Sequence, residues 1–129
     1  SGHIFFHDRY LGYDDAMYAA CRFVEIVSKS EVRVSQLLSG QPKMYNTPEI
    51  RIECSDDKKF ELVEKVKNHL VKEGYNVNDI DGVRITFPDG WGLIRASNTQ
   101  PVLVLRFEAE SERRLKEIRD LVENTLFLF

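Results

Sequence analysis

The chain has 129 residues, which fits one domain of ordinary size (roughly 100–150 residues) or one domain with an appendage. Its 43% hydrophobic and 30% charged residues are the balance of a globular chain, and no apolar run approaches the roughly 20 residues that span a bilayer. A net charge of −3 without a Lys/Arg cluster argues against nucleic acid, so neither a membrane nor a nucleic acid is expected as partner.

The opening stretch from Ser1 to Tyr10 has neither a basic n-region nor an apolar h-region, so no secretory signal is expected and the cytoplasm is the expected location. Cys21 and Cys54 stand far apart in apolar patterns, as expected of buried free thiols rather than a disulfide or metal pair. Residues 1–13 are rich in aromatics and start with Ser rather than Met, which reads as a cut piece. Asp14 is a suitable N-cap for a helix over 14–29, where Met17, Ala20, Cys21, Val24 and Val27 form one apolar stripe. Residues 39–47 contain Gly40 and Pro42, precede Pro48, and read as a linker.

Beyond Pro48, Ile50, Ile52 and Cys54 alternate with charged residues, the pattern of a strand with one buried face. Ser55 or Asp56 then caps a helix over 57–73 whose face is Phe60, Val63, Val66 and Leu70, with His69 beside it and Gly74 ending it. Val83 to Phe87 and Trp91 to Ile94 flank the turn signal Pro88-Asp89-Gly90 and predict a hairpin. After a polar loop, Arg95 to Pro101, comes a strand from Val102 to Ala109. Ser111 then caps a last helix carrying Leu115, Ile118, Val122 and Leu126. The order predicts an α+β domain over 48–129, a four-stranded antiparallel sheet with two helices on one face. Residues 1–38 read as the tail of a preceding domain, whose absent strands would cover the helix 14–29 stripe.

The loop Arg95-Ala96-Ser97-Asn98-Thr99-Gln100-Pro101 carries the chemistry. Arg95 offers a planar fork of donors suited to phosphate, and Ser97 and Thr99 add hydroxyls. Asn98 tolerates the left-handed region, so successive N–H groups are expected to converge in an anion-binding nest. The competing reading is a polar hairpin turn with one solvated arginine. Arg106 shares a strand face with Val102, Val104 and Glu108, and by residue type alone it reads as a surface arginine paired with a carboxylate such as Glu108. Gly82, Gly90 and Gly92 do not form a nucleotide loop, and Asp14-Asp15 and Asp56-Asp57 read as helix starts rather than metal ligands.

That loop, with Leu105-Arg106-Phe107-Glu108-Ala109 after it, resembles the phosphate-binding segment in the last domain of the alpha-D-phosphohexomutases. Ser1-Gly2-His3 resembles the end of the family's sugar-recognition loop, and Arg9 to Ala16 the segment that follows it. The Ser-Asn-Thr centre is closer to the mannose/glucose branch than to the glucosamine branch. The resemblance implies an isomerase acting by intramolecular phosphoryl transfer between hexose 1-phosphate and hexose 6-phosphate. A hexose 1,6-bisphosphate would be its intermediate and activator. Arg95, Ser97, Asn98, Thr99 and Arg106 would bind the phosphate that is not transferred, and Ser1 the sugar. His3 would either aid proton transfer or only hydrogen-bond within its loop. Mg2+ and a phosphoserine would belong to earlier domains, so the implied partners are a mannose or glucose phosphate and those domains. This piece alone is expected to be inactive, and the domain is expected to close over a cleft. The alternative is a stand-alone binding module for phosphorylated metabolites.

Overall fold

A computed structural model describes residues 2–129, so the sugar-binding expectation for Ser1 lies outside the described residues. The chain divides into two compact units, Ser1–Gln41 and Pro42–Phe129.

The first unit holds helix α1, Ala16–Lys29, followed by a short 3-10 turn at Val34–Gln36. Its N-cap is Asp15, which accepts from the Tyr18 N–H, and not Asp14, whose carboxylate is bonded to His3. The expected start therefore moves by one cap position. Residues 2–15 lie against α1 through polar and aromatic groups. Arg9 and Arg22 reach Glu25 and Asp8, and Tyr10 stacks on Tyr18 with ring centroids 3.9 Å apart. No α1 residue is buried, and Met17 on the apolar stripe is 80% exposed. Cys21 is accordingly exposed and Cys54 half-buried, which corrects the expectation of buried thiols.

The second unit is α+β. Its strands are β1 (Tyr45–Asn46), β2 (Ile50–Glu53), β3 (Val77–Asn78), β4 (Val83–Phe87), β5 (Gly90–Ala96) and β6 (Val102–Ala109). All pairings are antiparallel, in the order β1-β6-β5-β4-β3, with β2 also on β6. The strand count thus rises from four to six for two local reasons. Tyr45–Asn46, expected within a linker, continues the β2 edge across Pro48, which has no N–H to give the ladder. Thr47 bridges the gap by donating its N–H to the Phe107 carbonyl. Val77–Asn78 adds two residues to the opposite edge, too short for an alternation to be visible.

Helices α2 (Lys59–Lys72) and α3 (Glu112–Leu126) cover one face of this sheet. Their Val63, Val66, Leu70, Ile118, Val122 and Leu126 pack with Val83, Ile85, Ile94, Leu103, Leu105 and Phe107 from the strands. Each such side chain contributes roughly 1.5–3 kcal/mol by leaving water, so the second unit carries the core. At the α2 C-terminus Gly74 has φ 84°, and the N–H groups of Gly74 and Tyr75 donate to Val71 and Leu70 carbonyls, closing a Schellman turn. The α2 N-terminus departs from expectation. The Ser55 carbonyl accepts from Lys58 and Lys59 N–H groups, so a turn precedes the helix and neither Ser55 nor Asp56 caps it. The buried face consequently starts at Lys59 rather than Phe60, which is 56% exposed.

Candidate functional site

Arg95 and Arg106 both project from the sheet face opposite the helices. On β5 the buried positions are Gly90, Gly92, Ile94 and Ala96, which leaves Trp91, Leu93 and Arg95 on the other side. On β6 Arg106 shares that face with Val104, which is buried there although it points away from the helices. Arg95 is in register with Val104, and Leu93 with Arg106, so the two arginines are diagonal neighbours on adjacent strands, at a Cα separation of roughly 7–8 Å. Arg51 on β2 is opposite Val104 from the other side. Arg95 was expected in the loop. It belongs to the strand instead, because its backbone keeps the ladder with Val104 and its side chain keeps the alternation.

The loop proper is Ser97 to Pro101. The Ser97 N–H donates to the Val102 carbonyl at 3.0 Å, and the Ser97 hydroxyl accepts from Thr99 and Gln100 N–H groups at 3.3 and 3.2 Å. Among the described residues every one with positive φ is a glycine, so Asn98 is not left-handed and the expected nest is not formed. A serine-centred turn takes its place, since a hydroxyl two and three residues upstream satisfies the N–H groups that would have converged. Among the described residues the Asn98 N–H has no partner.

The side-chain donors have carboxylate partners. Arg95 Nη1 is 3.2 Å from Asp81 Oδ2, and Arg106 Nη2 is 3.3 Å from Glu49 Oε2. Glu49 therefore replaces Glu108 as the partner of Arg106, because the Glu108 carboxylate accepts from the Trp91 indole across the strands. Arg51 and then Arg106 hold the Glu49 carboxyl below its ordinary value. Gly82 lets Asp81 come so close to β5. Its φ is 80°, and a Cβ there would lie 2.4 Å from the Ile94 carbonyl oxygen and 2.8 Å from Arg95 Cα.

The far end of the loop is held more tightly. Arg51 Nη1 donates to Gln100 Oε1 at 2.7 Å, the Cys54 N–H to the Pro101 carbonyl at 2.9 Å, and the Val102 N–H to the Gln100 carbonyl at 2.8 Å. Lys59 Nζ also donates to that Gln100 carbonyl, at 3.0 Å. Residue reading missed Lys59, Arg51 and Glu49. The one available signal was the Lys58-Lys59 pair at a helix start, where carboxylates are favoured.

A recess of about 250 Å³ lies on the helix side of the loop, bordered by Asn98, Glu64, Asp79, Asp81 and Lys67. Three carboxylates against one ammonium make it a poor anion site, whereas the opposite sheet face carries Arg95 and Arg106. His3, in the first unit, is exposed and bonded through Nδ1 to Asp14. Among the described residues no group of three His, Cys, Asp or Glu stands close enough to hold a metal, so no step through Mg2+ is derived for this chain. Among the described residues no helix is long and apolar enough to cross a membrane.

An antiparallel sheet with both helices on one face and two arginines on the other defines an α+β domain with a basic open face. Residues 49–125 match the model of the phosphoglucomutase/phosphomannomutase C-terminal domain, and residues 1–45 match that of the family's alpha/beta/alpha domain III. The chain belongs to the phosphoglucomutase/phosphomannomutase family. Among its relatives, a phosphomannomutase/phosphoglucomutase of Pseudomonas aeruginosa is 44% identical over 126 residues, 98% of this chain and 27% of the relative. A phosphoglucomutase of Neisseria gonorrhoeae is 41% identical over 122 residues, 93% of this chain and 26% of the relative. The crystal structure of a phosphoglucomutase/phosphomannomutase family protein from Burkholderia thailandensis superimposes with a TM-score of 0.78 at 40% identity, covering 97% of this chain and 26% of that one. The chain thus spans about a quarter of the length of the curated relatives it matches.

Proposed function

We propose that the second unit binds the phosphate that stays in place while a phosphohexomutase transfers the other, in the interconversion of hexose 1-phosphate and hexose 6-phosphate through a bisphosphorylated sugar. Arg95 and Arg106 supply the charge, and Ser97, Asn98 and Thr99 supply neutral donors. The observation that carries this reading is the weakness of what those groups now hold. Arg95, Arg106 and the N–H groups of Thr99 and Gln100 each have an acceptor at 3.2–3.3 Å, beyond the 2.7–2.9 Å of a strong charge-assisted bond. A phosphate oxygen can replace the Asp81, Glu49 and Ser97 oxygens, leaving the Ser97 hydroxyl free to donate in turn.

Such a site reads the dianion rather than the sugar, so either end of a glucose or mannose bisphosphate fits it after the intermediate reorients. The transferring phosphoserine, the Mg2+ that neutralises charge during transfer and the rest of the sugar-recognition loop belong to other parts of the parent protein, with His3 and Ser1 contributing to that loop. Closure of this domain over the cleft would exclude water during transfer. The whole protein works on cytoplasmic metabolites, and this chain alone is inactive.

The test is amide-detected NMR titration of the chain with glucose 1-phosphate. Ser97, Asn98 and Thr99 shift together, and Arg95→Ala weakens the affinity about ten- to hundredfold, from about 1.5–3 kcal/mol for a charge-assisted bond. Unmoved loop amides at millimolar ligand would sink the reading. Hexose phosphate turnover by the chain alone would overturn the statement that it is inactive.

A further inference from the structure

We propose that Lys59 is a positioning residue for the phosphate loop, its buried ammonium pinning the Gln100 carbonyl so that Ser97 and Thr99 present their donors in one geometry. This rests on the phosphate reading of the loop. Lys59 is 4% exposed, the only charged side chain that is buried among the described residues. It occupies the first position of α2, where a cation meets the positive end of the helix dipole and Lys58 makes no capping bond. Neither burial nor position favours a lysine there, so what it contacts must justify it.

Its contacts lie at the loop. Nζ is 2.5 Å from Asp56 Oδ1, 3.0 Å from the Gln100 carbonyl oxygen and 5.2 Å from the centre of the Phe60 ring. The same carbonyl accepts the Val102 N–H at 2.8 Å, which closes a tight turn over Pro101. One buried charge therefore fixes the residue at which the loop rejoins β6, while Asp56, largely exposed, balances it. The donors ahead of that point have only long partners, so their placement depends on the anchor behind them. The ammonium also adds positive potential beneath a site for a dianion.

The experiment compares Lys59→Met, which keeps the length and loses the charge, with Lys59→Arg, which keeps a donor. In the 129-residue chain titrated with glucose 1-phosphate, Lys59→Met is expected to bind about tenfold more weakly and Lys59→Arg within about threefold of the parent. A folded Lys59→Met chain that binds within twofold of the parent overturns the proposal. Should that variant not fold, the Lys59 ammonium resonance of the unmutated chain decides. Half-saturation at the same ligand concentration as the Ser97 and Thr99 amides supports the proposal, and an unresponsive ammonium overturns it. If the unmutated chain shows no ligand shift at Ser97 to Thr99, the phosphate reading fails. The anchoring is then read without ligand, from hydrogen exchange at the Val102 amide. Faster exchange in a folded Lys59→Met chain, with Lys59→Arg near the parent, supports it, and equal exchange in Lys59→Met overturns it.

Discussion

At the scale of single residues, Arg95, Arg106 and the Thr99 and Gln100 N–H groups hold only long acceptors, which in the proposed reading stand where phosphate oxygens would. Asp81 is the clearest of these. Its carboxylate is 3.2 Å from Arg95, and Arg95 is 38% exposed, so the pair has the small worth of a surface ion pair, about 0.2–1 kcal/mol. In the proposed reading an arriving phosphate displaces it. Asp81→Asn is therefore expected to tighten glucose 1-phosphate binding by about 1.5- to 5-fold, with the gain shrinking as salt is raised. Weaker binding by the variant would mean that Asp81 orients Arg95 rather than competing for it. The residue types named the candidate donors but not the carboxylates that they meet. Asp81 and Arg95 are brought together by the fold around Gly82, and Glu49 reaches Arg106 across a gap of 57 residues. No local pattern encodes either meeting.

At the scale of elements, alternation made the strands legible and helical phase was where the reading slipped. β4 and β5 follow the expected apolar alternation, because one face packs on helices and the other does not, and β6 departs from it at Val104, which is buried on the face away from the helices. In α2 the start depends on a turn that ends on Lys58, which residue types do not announce, and the error exchanged Lys59 for Phe60 on the buried face. The lysine proposed to anchor the loop was hidden by that exchange. Gly90, expected in a turn, opens β5 under α3. A Cβ there would lie 2.6 Å from the Glu108 carbonyl oxygen and 2.7 Å from Ile118 Cδ1. Gly90→Ala is expected to cost about 1–3 kcal/mol by forcing α3 away from β5 and β6. Urea unfolding of the two chains measures it, and an unchanged midpoint would show that α3 yields freely.

At the scale of the whole chain, stability is unevenly distributed between the two units. The second unit has a continuous apolar core, whereas no residue of α1 is buried and its 14 residues are near the limit for a helix standing alone. What holds residues 2–15 to α1 is largely charge and hydrogen bonding: Arg9 on Glu25, Arg22 on Asp8, and the Tyr18 hydroxyl on the Arg9 carbonyl. Arg9 first, then Lys29, holds the Glu25 carboxyl at about 2 against an ordinary 4.5, and Arg22 lowers Asp8 likewise. A carboxyl depressed by folding contributes fully above its unfolded value and loses that contribution as pH falls through its folded one. The first unit is therefore expected to loosen between about pH 4.5 and 2, with Tyr10 coming off Tyr18. The methyl groups of Ile94 and Leu105, held by apolar packing, should keep their dispersion over the same range. Carboxyl-detected NMR places the Glu25 midpoint directly. A value near 4.5 in the folded chain would mean that Arg9 and Lys29 do not hold it, and that the order of the first unit has another source.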